Sequence, residues 1–262
     1  MKSLLVPVDF SPASENAAKF AAELARMEGA RLILLHAYRL PVSTSEMPVL
    51  VSLSEVEETA NEQMERLQKR LMKDFPNVEV DGVCRMGFAV ESIIEAGVNF
   101  QPQMIVMGMR GHSGAMERVL GSNTTALMKR AFCPVLIVPE FAKFVQPEIL
   151  VVGCDHPGAI SPRVREQVKN LSTAFHSKVE YVSVTRKKPE LVLHDEVNAN
   201  QDYKAVTLEG EDVIEEMNKY MDQTPNGWLV MMPHRYGVLE SIFHVSKTRK
   251  MAWHTHVPLL SI

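Results

Sequence analysis

Apolar residues along this chain switch between two periods. Short apolar runs at 4–8, 31–38, 78–85, 104–107 and 135–138 read as strands. Between them apolar residues recur at helical spacing, as with Ala13, Ala17, Phe20, Leu24 and Met27. Ser11 followed by Pro12 predicts an N-cap with proline at the first helical position, and Gly29 predicts the stop. Residues 39–53 read as a loop. Ser54 and Glu57 are spaced as a capping box, opening a helix with Val56, Ala60, Met64, Leu67 and Leu71 on one face. Further helices are predicted over 87–100 and 122–131. Strands alternating with helices imply a parallel sheet covered on both faces. Such sheets bind ligands beyond the carboxyl ends of the strands, where the strand order reverses.

The second half repeats this pattern. The run from Leu150 to Asp155 echoes that from Leu4 to Asp9. With a constant offset of 124, residues 229–262 align without gaps on 105–138, at 6 identities in 34. Between aspartate and loop the second half is 22 residues shorter, and 187–202 do not read as a long helix. Its second helix is therefore expected to be lost or reduced. The expected domains are 1–143 and 147–262, with the boundary near 143–147.

Composition narrows the class. Hydrophobic residues make up 46% of the 262 and charged residues 23%, as in soluble globular proteins. Residues 1–146 carry 15 basic and 17 acidic side chains and the remainder 13 and 15, so neither half has the basic footprint of a nucleic-acid binder. No apolar run approaches the roughly 20 residues that span a membrane, and the first strand leaves no room for a signal peptide. Cys84, Cys133 and Cys154 lack motif spacing and read as reduced core thiols. The expected location is cytoplasmic.

The chemistry concentrates between the fourth strand and the fourth helix. Gly108, Gly111, Gly121 and Ser122 are spaced G-x2-G-x9-G-S, followed by Asn123 and Thr124. Glycine lets backbone approach a ligand closely, and a helix opening on Ser-Asn-Thr presents free N–H groups and hydroxyls to phosphate. A plain tight turn explains the same residues. Neither G-x4-G-K-[ST] nor G-x-G-x-x-G is present.

This spacing resembles the nucleotide-binding loop of the universal stress protein family, within the adenine-nucleotide-binding α/β superfamily. The resemblance extends over the first half, through Val6 to Asp9, His36 with Ala37, and Cys133 to Pro139. It implies an α/β fold: two tandem Rossmann-like, open five-stranded parallel sheets covered by helices, packed as an internal pseudo-dimer. It implies a ligand, ATP or a related adenine nucleotide, with magnesium as an optional companion. The residues it points to are Pro7, Val8, Asp9, Ala37, Met107, Gly108, Gly111, Gly121, Ser122, Asn123 and Thr124. Asp9 would contact the nucleotide directly or through magnesium, and otherwise caps the turn into the first helix. Ala37 would line the base pocket through its backbone, or is a small core residue. Met107 would lie near base or ribose, or is core methionine. Ser122 and Thr124 would bond phosphate oxygens and cap their helix.

The second half departs from the pattern. Gly108, Gly111 and Gly121 become Met232, Arg235 and Val245, whereas Asp155, Ser246 and Thr248 remain. A degenerate second domain is expected; Lys247 and Arg235 are candidate anion contacts or solvated charge. Seven of nine histidines lie there, and His254 with His256 is the best local pair for zinc, though a helix C-terminus explains it too. The implied role is nucleotide-linked stress response or signalling without enzymatic turnover. The alternatives are sensing or scaffolding through the second domain, slow nucleotide hydrolysis, or a pyrophosphatase or nucleotidyl transferase. The last pair would carry S-G-G-x-D-S or H-x-G-H, and neither string occurs. Adenine nucleotide is the expected partner, with no nucleic acid or membrane; the domains would pair within the chain, and a homodimer is a further option.

Overall fold

The computed structural model describes residues 2–40, 52–109, 122–156, 158, 160–185, 203–232 and 257–262. They fall into two compact units: Met1–Met109 with Gly121–Glu140, and a second that includes Phe141–Ile262.

In the first unit, strands β1 (Ser3–Pro7), β2 (Arg31–Tyr38), β3 (Val80–Met86), β4 (Met104–Met109) and β5 (Val135–Pro139) are all parallel, in the order β3-β2-β1-β4-β5. The order reverses between β1 and β4, which places the switch point there. Helices α1 (Pro12–Glu28), α2 (Leu53–Asp74), α3 (Ala89–Phe100) and α4 (Ser122–Arg130) connect them. α1 lies over β4, β1 and β5, and α2 over β3 and β2. The buried strand residues Leu4, Leu5, Val6, Ile33, Leu34, Ile105, Val106, Leu136 and Ile137 form the middle of the core.

Local chemistry accounts for the helices. Ser11 is extended and its side chain accepts from the Ser14 N–H, Pro12 takes the first helical position, and Gly29 ends α1 at φ 61°. That left-handed turn costs glycine nothing. The buried face of α1 is alanine-rich, with Ala13, Ala17, Ala18, Ala21, Ala22 and Ala25 around Phe20 and Leu24. Small side chains let this helix lie close on the sheet.

α2 corrects one expectation. Its capping box is Ser52 with Glu55, not Ser54 with Glu57: the Ser52 hydroxyl accepts from the Glu55 N–H at 3.2 Å, and the Glu55 carboxylate accepts from the Ser52 N–H at 3.1 Å. Both pairs have the required spacing. With the earlier one in place, Leu53 and Ser54 lie in the first turn, and Ala60, Met64, Leu67 and Leu71 are buried as expected. Val56, placed on the same face by sequence, is only half-buried.

The second unit has β6 (Ile149–Gly153), β7 (Lys178–Thr185), β8 (Tyr203–Glu209), β9 (Gly227–Met231) and β10 (Leu259–Ser261), with α5 (Pro162–Phe175) and α6 (Val213–Asp222). Its order, β10-β9-β6-β7-β8, is that of the first unit. The registers repeat as well. Ile105 faces Val135, and 124 residues on Leu229 faces Leu259. Leu4 faces Met104 and Leu32; Leu150 faces Trp228 and Val179. The internal repeat, weak in letters, is explicit in strand pairing. Residues 187–202, where a reduced helix was expected, lie outside the described residues. Among the described residues no helix is long and apolar enough to cross a membrane.

Candidate functional site

The carboxyl ends of β1, β2 and β4 position the candidate residues of the first unit. Pro7 closes β1 opposite Leu35. The Val8 N–H donates to the Leu35 carbonyl at 2.8 Å. The Val8 carbonyl lies 2.8 Å from His36 Nδ1. A carbonyl can only accept, so the proton of that pair resides on Nδ1. Val8 is buried, whereas Asp9 is exposed.

Asp9 begins a polar turn. Its Oδ1 accepts from the Ser11 N–H at 3.1 Å and from the Ser11 hydroxyl at 2.5 Å. The Ser14 hydroxyl donates to the Ser11 carbonyl at 3.0 Å and accepts from the Asp9 N–H at 3.3 Å. Asp9 thus holds the turn whose Ser11 caps α1. Between Asp9 and Ser11, Phe10 sits at φ 58°. That left-handed conformation costs a non-glycine residue about 1–2 kcal/mol. Its ring lies 4.5 Å from the His36 ring, centroid to centroid. Phe10 carries no assignment from sequence, and His36 enters there only as part of the resemblance, with no site role. The available signal was a histidine breaking an otherwise apolar strand and an aromatic residue beside the strand-end aspartate.

Ala37 stands near the end of β2, half-buried and paired with Arg85 of β3. Met107 is 8% exposed and pairs with Ile137, so most of its side chain belongs to the core. Gly108 pairs with Val138. A β-carbon there would stand 2.3 Å from the Ala13 carbonyl oxygen and 2.9 Å from the Ser14 nitrogen. The first turn of α1 thus needs this glycine, whatever ligand also approaches it.

α4 leads through 131–134 into the start of β5, so its own N-terminus points toward the carboxyl ends of the strands. Ser122 and Asn123 are exposed there, whereas Thr124 is 6% exposed and turned into the core. No acidic residue lies in the first turn of α4, and Lys129 and Arg130 lie in its last. Both ends therefore follow the helix dipole, and the N-terminus favours an anion. Gly111 and Gly121 lie outside the described residues.

The counterpart in the second unit is altered in substance. The Cys154 N–H donates to the Val182 carbonyl as Val8 does to Leu35. By the β6–β7 register, Ser183 replaces His36 and Val184 replaces Ala37. Met232, in place of Gly108, is 3% exposed. Counted from the matched strands, the N-cap of α5, Ser161, comes four residues later than that of α1, Ser11. A longer connection accommodates a side chain where the first unit has none. Val245, Ser246 and Thr248, with Arg235, Lys247, His254 and His256, lie outside the described residues.

The cysteines are free thiols. Cys154 is buried, and burial pushes it up to about 12; Cys133, half-buried, is pushed up to about 11 by the same cause. Cys84 is also only half-buried, so the expected core placement holds in full for Cys154 alone. Among the described residues no group of three or more His, Cys, Asp or Glu side chains converges as a metal site.

Comparison with known proteins agrees with the fold. Residues 1–139 match the universal stress protein family model. A universal stress protein of Thermus aquaticus is 32% identical over 142 residues, covering 52% of this chain and 98% of its own. One from Bacillus subtilis is 31% identical over 147 residues, covering 52% of this chain and 97% of its own. The crystal structure of a universal stress protein from Archaeoglobus fulgidus superposes with a TM-score of 0.69 at 17% identity, over 98% of this chain and 97% of its own. A putative universal stress protein from Pseudomonas aeruginosa gives 0.56 at 11% identity, over 99% and 92%. With strand order, register and family model in agreement, this chain belongs to the universal stress protein family.

Proposed function

We propose that the first unit binds one adenine nucleotide, with ATP as the first candidate, and acts in a stress response or in signalling in the cytoplasm. The observation that carries this is the position of Asp9 and Gly108 at the ends of neighbouring strands β1 and β4, where the strand order reverses. The base would lie against the end of β2 at Ala37, with Pro7, Val8 and Met107 behind it. The phosphates would meet Ser122, Asn123 and the N–H groups opening α4. Thr124, turned inward, would support the helix rather than touch the ligand.

Magnesium fits this arrangement in a limited way. Asp9 supplies an exposed carboxylate, but its Oδ1 already takes two hydrogen bonds from Ser11. The ion commonly uses one or two carboxylates together with substrate phosphates and water. Asp9 would be its protein ligand, and the ion would neutralise phosphate charge.

The second unit would keep the fold without the same pocket, because it carries a buried methionine, Met232, at the strand-end position where the first has Gly108. Calorimetry on the intact chain should give one site for ATP, ADP or AMP. Gly121→Val, which installs the residue of the second half, should abolish binding. Two equal sites, or unchanged affinity in that variant, would contradict the proposal.

A further inference from the structure

A cavity of about 260 Å³ opens between the end of β2 and the first half of α2. Its walls are His36 and Tyr38 from the strand and Glu55, Val56, Thr59, Ala60 and Gln63 from the helix. His36 and Tyr38 are two residues apart, so both face α2, and Ala37 between them faces the other way. The cavity is therefore on the opposite face of β2 from the Ala37 side chain. It is slightly smaller than the range of ~300–1,000 Å³ usual for drug-sized ligands, which suits a small molecule.

Charge narrows its chemistry. Among the described residues no lysine or arginine lines the cavity, and Glu55 does. The helix around it is acidic, with Glu57, Glu58 and Glu62, whereas Arg66, Lys69, Arg70 and Lys73 occupy its second half. The field of Glu57 reaches the strand: after partial burial, it is the next cause holding both the Tyr38 phenol and the Cys84 thiol above their ordinary values. An aromatic wall with a carboxylate in it, on an acidic stretch of helix, attracts ammonium groups and repels phosphate. The apolar floor of Val56 and Ala60 suits a short methylene chain.

We propose that this cavity is a second ligand site, distinct from the nucleotide site, for a small organic amine. It does not depend on the nucleotide reading, because none of its charge-bearing walls belongs to that site.

The test is an NMR titration of the intact protein at low salt with 1,4-diaminobutane, using 1,4-butanediol and succinate as the uncharged and anionic counterparts. Saturable shifts at Tyr38, Glu55, Thr59 and Ala60 are expected with the diamine alone. Glu55→Gln keeps a capping-box side chain while removing the charge. That variant and Glu57→Gln should each weaken the diamine by about twofold to fivefold, as for exposed charge pairs. Thr59→Phe, which fills the cavity from an exposed position, should remove the shifts without changing ATP affinity. Non-saturating shifts spread over all acidic residues, equal binding of the diol or succinate, or unchanged affinity in the three variants would overturn the proposal.

Discussion

Gly108 and Ala13 are held so close that a single β-carbon on the glycine would stand 2.3 Å from the alanine carbonyl. The contact is backbone against backbone, so no side-chain rotation relieves it. It ties the end of β4 to the first turn of α1, beside the turn in which Ser11 holds Asp9.

Gly108→Ala should therefore destabilise the protein without any ligand present. Overpacking a close contact typically costs about 1–3 kcal/mol. Urea denaturation of the nucleotide-free protein should show a lower midpoint with an unchanged slope. An unchanged midpoint would mean that α1 retreats freely, leaving ligand approach as the reason for glycine.

Met232→Gly tests the converse in the second unit. Removing a buried methionine side chain should cost about 2–5 kcal/mol. It should not create a second nucleotide site, because α5 starts later than α1 and the other replacements remain. Calorimetry showing two sites in this variant would make one residue the whole difference between the units.

The two candidate capping boxes of α2 can be separated. Ser52→Ala should cost about 1 kcal/mol, as for other N-cap serines. Ser54→Ala lies within the first turn and should stay within about 0.5 kcal/mol of the parent, in the range of ordinary surface changes. The reverse ranking in urea or thermal denaturation would return the helix start to Ser54.

Alkaline pH should destabilise the fold progressively. Burial raises Cys133 to about 11, and Cys154 and Tyr181 to about 12. Between about pH 9 and 12 the unfolded chain then holds fewer protons than the native one, so stability falls as pH rises. Denaturation midpoints measured from pH 8 to 11 should decline, and thiol-reagent kinetics at pH 8 should show Cys154 reacting only on unfolding. A flat profile together with fast labelling of Cys154 would refute the burial argument.

ATP turnover should remain far below the roughly 1 per second at the low end of ordinary enzymes. Efficient phosphoryl transfer needs a positioned base or water-orienting group and charge stabilisation at the γ-phosphate. In the turn beside the proposed site, the Asp9 carboxylate is already engaged by Ser11. A rate at or above that level, lost in Asp9→Asn or Ser122→Ala, would overturn the expectation.

By itself the sequence determined the alternation of elements, because hydrophobic period and caps act locally. Ser11, Pro12 and Gly29 bound α1 as read, and β2 spans Arg31–Tyr38 as read. It also determined that the second half repeats the first, since a chain offset is preserved when strands pair in the same register. Residues 41–51, 110–121, 186–202 and 233–256 carry several of the sequence assignments and lie outside the described residues. Only the tertiary structure decided which of two equally spaced serines caps α2, because both satisfy the local capping pattern and both leave Ala60, Met64, Leu67 and Leu71 on the buried face. It also decided that Thr124 turns inward, that Phe10 takes a left-handed turn against His36, and that Gly108 answers to Ala13. Those facts depend on contacts across 26 residues for Phe10 and His36 and 95 for Ala13 and Gly108. Local pattern has no access to such separations, because it records what each residue prefers and not which backbone the fold brings against it.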